Sequence, residues 1–589
     1  MKKNIIFIEL IFAVFATLGL VYGFSIANDS FDINSPFVFI IFIVYSFLYN
    51  NKPSISKSEK IFCLIISILL SVIVIIGSQL EYHSCIIWSL KTLLKIVFLY
   101  FSIFPLFYYL IEKLNKISIP QKTKFVKLSY RLKIKIFTFV FILIGGICGW
   151  LALFPGLYGY DAGYQIMMFL EKLQLTTNFS IVYSYILTFF VKLGKNLFDS
   201  YQIGFAIYSF VQMIFLTYVA TRISYFVYSK TNKKILYIIT VLFFCGFPLY
   251  LLMILSSAQD TLFGGLFALI ILNLFEIIDD EKYFDKVYKP FFLAIEILML
   301  CLTRNNGFYA LIISLIFLLV LINDKKKLIV TLMVFLAPLV TYKIIVGPIY
   351  KSFGIIEGNT IREMLSVPSQ QLARVYNYNK KAYNENDIKK LKYYYLDLKN
   401  FDYYTYRQSI ADPVKSVINQ EHIKNNFLGY IKFWTNIGLK DPKNYIEAVL
   451  LNTLGYWYPN KTYQDDRMYH PYIEYNMLDA HAWNKKYLVI KRNSKFPLYE
   501  KRLSKIIYKN EWKNIPLLST VFTMGTYFIL FIFTISYTLL KRKYNYLLPL
   551  GVLFGLVFTL FLSPVALFRY FFPIVILWPV LVTIVIKSK

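Results

Sequence analysis

Acidic residues are scarce in this chain. There are 33 Asp and Glu against 63 Lys and Arg, a formal net charge of +30. Cysteine is rarer: Cys63, Cys85, Cys148, Cys245 and Cys301 are the whole complement, each in or beside an apolar run and without metal-ligand spacing. That excludes a disulfide framework and a zinc site. The four histidines, His83, His422, His470 and His481, are scattered. No glycine-rich phosphate loop, HExxH, GxSxG or paired CxxC occurs, so the common nucleotide, metalloprotease, serine-hydrolase and redox chemistries lack their signatures. No repeat of fixed period and no strand alternation of convincing length is present, which argues against a solenoid or a β-rich fold.

What the chain has is apolar length. Hydrophobic residues make up 58%, charged residues only 16%, and the mean hydropathy is +0.55. These values exclude an ordinary soluble domain and define an all-α polytopic membrane protein. The positive charge therefore need not mean nucleic acid. Most Lys and Arg sit in short segments between apolar runs, as the positive-inside rule requires. The abundance of Lys, Asn, Ile, Tyr and Phe suits an AT-rich bacterial genome.

Runs long enough to cross a bilayer lie near 5–24, 36–50, 60–80, 86–111 and 133–153. The first lacks a small-residue cleavage site and reads as a retained helix rather than a leader. Basic connections at 52–60 and 113–135 place the N-terminus in the cytoplasm and Asp161 outside. Further runs lie near 176–194, 201–229, 234–255, 261–278, 290–302, 307–323, 328–348, 515–540, 545–562 and 565–586. Between Asp161 and the basic Lys233-Lys234 two runs are visible where an odd number of crossings is needed. Either one run lies in the interface or is re-entrant, or 201–229 is two broken helices. The total expected is about 13 to 15 membrane helices. A short amphipathic surface helix is expected over 162–175.

The hydrophilic stretch 349–514 carries a net charge of about +11, which long extracytoplasmic domains tolerate. It reads as mostly helical, with Trp434, Tyr456, Trp457, Tyr458 and Trp512 available for a small core or an interfacial belt. Residues 366–378 predict a helix that puts Gln371, Arg374 and Tyr378 on one face.

Ionisable groups at the outer ends of spans are the candidates for function. Asp161 is the sole charge of FPGLYGYDAGYQ, residues 154–165. Asp260, in SSAQDTLF, either works or caps the helix expected to begin at Thr261. Arg304 lies in TRNNG, Arg362 and Arg374 follow the helix ending near 348, and Arg569 lies in LFRYFFP, inside the last apolar run. Carboxylates can orient and deprotonate a hydroxyl, and guanidinium forks suit phosphate oxygens. Taken singly, Arg374 is better explained by a plain surface salt bridge. Together, acids and arginines at a lipid surface suggest transfer chemistry on a lipid phosphate.

The order of FPGLYGYDAGYQ, SSAQDTLF, RNNGFYA, VPSQQLARV, GLKDPKNYIEAVLLNTLGYWYP and FRYFFP resembles the GT-C superfamily of polytopic glycosyltransferases. That superfamily includes the protein O-mannosyltransferases and aminoarabinose transferases. The likeness is stronger still to an uncharacterised bacterial membrane family grouped with them by fold. It covers roughly 133–586. It implies a GT-C-like bundle with a mostly helical extracytoplasmic domain. It divides the chain into a four-helix N-terminal module with a basic cytoplasmic linker (1–132), a GT-C-like module (133–348), an extracytoplasmic domain (349–514) and C-terminal transmembrane helices (515–589). It also implies Asp161 as base or orienting group and Asp260 as second acid. Arg304, Arg374 and Arg569, joined by Gln371 and Tyr570, would hold lipid phosphate and substrate. Two departures stand out: Ala162 follows Asp161 where many members carry a second acid, and Asn178-Phe179-Ser180 stands where the closer family carries histidine. They leave open a changed acceptor, a changed use of metal, or lost activity.

The expected function is transfer of a sugar from a polyprenyl-phosphate donor to a cell-envelope glycan, lipid or protein outside a bacterial cell membrane, by an inverting displacement. No cofactor is required by these residues, a divalent metal being the one left open. A flippase for lipid-linked saccharides and an inactive membrane scaffold are the alternatives.

Overall fold

The computed structural model describes residues 2–23, 35–117, 128–158, 160–322, 324–358, 360–402, 405–461, 490–508, 511–514 and 518–588. His470 and His481 lie outside them. Among the described residues there is no strand, only isolated bridges, and the chain is a bundle of helices. Among the described residues eight helices are long and apolar enough to cross a membrane, nine if one bent pair is a single span. Four shorter apolar helices accompany them. The expectation of 13 to 15 counted those shorter runs as spans.

The N-terminal module is four helices: α1 (Lys2–Gly23), α2 (Pro36–Asn50), α3 (Lys57–His83) and α4 (Leu90–Lys116). There follow α5 (Leu128–Ala152), α6 (Tyr160–Leu170), α7 (Ile181–Phe198), α8 (Tyr201–Thr231), and α9 (Lys234–Gly246) with α10 (Pro248–Ile254), the last two bent by 56° at Phe247. Pro248 causes the break by removing a backbone donor inside an apolar run. Then come α11 (Gln259–Asp279), α12 (Tyr288–Thr303), α13 (Asn305–Leu321) and α14 (Lys325–Ile344).

The placement of α7 bears on the crossing ambiguity before Lys233. At its start Ser180 Oγ donates to Leu302 O at 2.5 Å and Tyr183 Oη to Ser257 O at 2.6 Å. Just past its end, Gln202 accepts from Lys491 N, and Asn493 N donates to Phe154 O. Both ends of α7 therefore lie at the end of the bundle that carries Asp161, the site end. Only α8 runs from there to the far end, where Lys230 pairs with Asp279. Of the two expected runs, α8, unbroken over its length, is the one long and apolar enough to cross.

At the site end stands a helical domain with its own core of Leu372, Val375, Tyr395, Phe401, Tyr430 and Phe433. Its main helices are α15 (Ser366–Tyr378), α16 (Phe427–Lys440) and α17 (Pro442–Trp457), the last N-capped by Asp441. Of the aromatics expected to form that core, Trp434 only borders it. Tyr456 and Trp512 join the main bundle, and Trp457 and Tyr458 pack on α3. Helical spacing shows which residues share a face, not which neighbour covers it. The bundle closes with α18 (Pro497–Tyr508), α19 (Met524–Leu540), α20 (Leu547–Phe561), α21 (Phe568–Ile576) and α22 (Trp578–Lys587).

The N-terminal module is clamped at both ends. At the far end Lys541 Nζ binds Glu59 at 2.6 Å and Asn115 at 3.0 Å. At the site end Lys461 pairs with Glu81 at 2.7 Å. There Glu447 also accepts from Ile86 N at 2.8 Å, while Arg374 donates to Ser84 O at 2.7 Å and pairs with Glu447 at 2.5 Å. Both side chains of that pair are 1% exposed. Arg374 is a buried tether between module and domain, not a surface salt bridge.

Breaking a buried pair leaves an uncompensated charge. Glu447→Gln is therefore expected to lower the unfolding free energy by about 3–5 kcal/mol. Thermal unfolding of the protein in lipid checks this, and a loss under about 1 kcal/mol would mean that the pair is not a tether.

Candidate functional site

The stretch 154–165 and the stretch 256–260 are remote in sequence and joined by backbone. Leu157 N donates to Leu255 O at 2.8 Å and Ser257 N to Leu157 O at 2.9 Å, a short parallel bridge. Gly156 makes the turn into it with φ +122°, a region that side chains rarely enter. Ser209 Oγ on α8 donates to Pro155 O at 2.6 Å and accepts from Trp150 Nε1 at 2.9 Å. Gln212 donates to Ile254 O and Ser256 O and accepts from Tyr208, whose hydroxyl also meets that of Tyr183. These groups fix the two acid-bearing loops relative to each other.

Asp260 lies inside the first turn of α11, which begins at Gln259 with Ala258 as N-cap and no side-chain cap. It does not cap the helix. Its carboxylate, 4% exposed, pairs with Arg304 and lies 3.6 Å from Arg569 Nε. Arg569 Nη1 lies 3.6 Å from Asp161 Oδ2, and Asp161 is 41% exposed. The Arg304 guanidinium stacks 4.0 Å from the Tyr570 ring centre, and Arg569 Nη2 lies 3.4 Å from Tyr570 Oη. Five of the expected residues, Asp161, Asp260, Arg304, Arg569 and Tyr570, thus form one cluster.

They come from four breaks in the bundle, Arg569 and Tyr570 sharing one. Arg304 sits in extended backbone (φ −157°, ψ 129°) between α12 and α13. Arg569 and Tyr570 open α21, which approaches α11 closely because position 264 is glycine. A Cβ there would stand 2.6 Å from Phe572.

Arg374 and Gln371 are elsewhere. Gln371 donates to Tyr445 O and accepts from Trp434 Nε1, so both side chains belong to the packing of α15 on α16 and α17. Arg362 is also apart, its Nη2 3.5 Å from Ile418 O. The expected surface helix after Asp161 is α6, but Ala162, Ile166, Met167 and Met168 are 0–1% exposed. It is tucked into the bundle.

Sequence reasoning missed the support. Gln165, 1% exposed, has Nε2 3.4 Å from Gln259 Oε1. Tyr456, fully buried, stacks on Phe571 at 5.5 Å, and its hydroxyl reaches Val565 O at 3.1 Å. It carries the site-end domain onto the loop before Arg569 and is no interfacial belt. Its signal was present in the GYWYP wording, which an aromatic belt explains equally well. Among the described residues no group of three or more His, Cys, Asp or Glu gathers to hold a metal ion.

Fold and cluster together define a polytopic, all-helical membrane protein with a charge-balanced acid–arginine site at one end. The chain belongs to DUF6020, a family of unknown function, which matches residues 171–589. Asp260, Arg304, Arg569 and Tyr570 fall within the match, while Asp161 lies ten residues before it. No curated protein and no solved structure matches the chain.

The two acids differ in what they hold. Asp260→Asn strands a mostly buried guanidinium and is expected to cost about 3–5 kcal/mol of stability. Asp161→Asn, at a half-exposed site, is expected to cost about 1 kcal/mol or less. Equal losses in thermal unfolding would contradict this division.

Proposed function

We propose that the chain is a membrane glycosyltransferase of the GT-C type, moving a sugar from a polyprenyl-phosphate donor to a hydroxyl acceptor on the extracytoplasmic face. The observation that carries this reading is the convergence of two carboxylates and two guanidiniums from four separate breaks at one end of a membrane bundle. Buried ion pairs are costly to assemble, and a structural pair needs only two partners. The order of the GT-C-like stretches adds support, since four of them supply the cluster.

In the proposed reaction Asp161, the accessible acid, accepts the proton of the acceptor hydroxyl. The hydroxyl oxygen attacks the anomeric carbon from the side opposite the phosphate. As that bond forms, the carbon–oxygen bond to phosphate breaks, and the electron pair leaves with the polyprenyl phosphate. Arg304 and Arg569 face the charge that develops on the leaving oxygen, the kind of preset electrostatic help that lowers such barriers most. Asp260 holds both guanidiniums in place, and Tyr570 orients Arg304 by stacking. The donor already carries its leaving group, so no nucleotide site is needed. In this reading the site end is outside, the N-terminus is cytoplasmic, and the domain around α15–α17 selects the acceptor.

Purified protein in lipid, given a panel of polyprenyl-phosphate sugars, is expected to release free polyprenyl phosphate. Asp161→Asn should slow that release by about 10²–10⁴-fold, the usual span for a lost general base. Binding of the lipids without any release from the wild type would overturn the transferase reading and favour transport or a scaffold.

A further inference from the structure

Helices α13 and α14 border a groove near the site end. Pro338 interrupts the hydrogen-bond ladder of α14, and residues 345–349 continue it as a wider π-turn containing Pro348. Both features bend or bulge a helix. The resulting cavity of about 510 Å³ is lined by apolar side chains, among them Phe308, Ile312, Leu315, Leu336 and Val340. Among the described residues, Lys343 is the only charged one in its wall. Ile312 and Leu336 are each 42% exposed and Val340 57%, so the groove opens sideways, towards lipid.

Its position relative to the acid–arginine cluster is set by one hydrogen bond. Tyr342 Oη donates to Asn305 Oδ1 at 2.9 Å. Lys343 follows Tyr342 and Arg304 precedes Asn305, so this contact brings the two cation-bearing stretches together. The Lys343 ammonium lies 4.3 Å from the Phe308 ring centre, at the first turn of α13. From Leu315 up to Phe308 the groove follows seven residues of helix, a climb of about 10 Å. It runs from an apolar floor to a cationic mouth beside the site.

We propose that this groove seats the hydrocarbon chain of a phosphate-headed isoprenoid lipid, with Lys343 as the residue that reads the phosphate before it passes to Arg304. This rests on the transferase reading for the identity of the lipid. Charge complementarity selects the head: one cation at the mouth of an otherwise apolar trough suits an anionic group on a chain. Any exposed trough in a bilayer is filled by some acyl chain, and selectivity over bulk lipid is what the proposal adds.

The test measures binding without turnover. A polyprenyl phosphate, the matching uncharged polyprenol and phosphatidylglycerol are titrated onto the full chain in neutral detergent, with native mass spectrometry as readout. Leu315→Trp, which fills the floor, is expected to weaken polyprenyl phosphate and polyprenol alike, by about tenfold each. Lys343→Gln is expected to weaken the phosphate by about tenfold, as for loss of one charge-assisted contact, and to leave the polyprenol unchanged. Ile312→Trp, at a lipid-facing position that tolerates bulk, is a second blocking variant should Leu315→Trp fold poorly. Its fluorescence should be quenched by a polyprenyl phosphate with a brominated chain. Unchanged binding in both tryptophan variants overturns the seat, as does phosphatidylglycerol competing equally, which would mean annular lipid only. The two readings fail separately. Normal sugar transfer by a groove-blocked variant sinks the seat alone, whereas selective lipid binding with no transfer by the wild type sinks the transferase alone.

Discussion

Two carboxylates and two guanidiniums in a mostly buried patch must neutralise each other, because none of them can be left charged and alone in a low-dielectric surrounding. That constraint organises the site end. Asp260 is the hub, since it faces Arg304 and Arg569 at once, and Arg569 reaches on to Asp161. The groups lie on α6, α11, the α12–α13 junction and α21, so their pairing ties residues more than 400 positions apart. Asp161 differs from the rest in its exposure, which lets it exchange partners without leaving a charge stranded.

The backbone breaks follow from the same requirement. Arginines and acids cannot sit in mid-span without cost, so they occupy the points where helices stop: the loop after Gly156, the bend after α10, the extended residue at 304 and the start of α21. Polar side chains then secure each break, with Ser209, Gln212, Tyr183 and Tyr208 on the loops and Tyr456 on the segment before Arg569. A second buried pair, Arg374 with Glu447, does a different job, coupling the site-end domain to the N-terminal module. The family match begins only at residue 171, yet Glu59, Glu81, Ser84 and Ile86 of the preceding module make specific contacts with the remainder.

The helical membrane class was legible from composition and run length, since burial in lipid demands both. Asp161, Asp260, Arg304 and Arg569 were legible because charge near a span end is conspicuous against apolar sequence. Arg374 carried the same signal for another reason, and Gln371 shares its helix face. That face was right, but Arg374's partner, Glu447, lies 73 residues on, Gln371's partners are Tyr445 and Trp434, and periodicity says nothing about distant partners. The role of α7 was hidden because an 18-residue helix with a hydrophobic side reads as a span. Its hydrogen bonds to Leu302 and Ser257, which keep its start at the site end, are invisible in sequence. Tyr456 was ambiguous for a similar reason: a buried anchor and a belt aromatic share one residue type.

Sugar transfer by this chain requires the acid–arginine cluster to receive a lipid phosphate. A cryo-electron microscopy structure of the wild type in lipid nanodiscs with a non-hydrolysable polyprenyl-phosphate sugar analogue tests it most directly. Phosphate density is expected between Arg304 and Arg569, with the sugar facing Asp161. An intact Asp161–Arg569–Asp260–Arg304 array with the analogue bound elsewhere would show that the cluster is architecture alone.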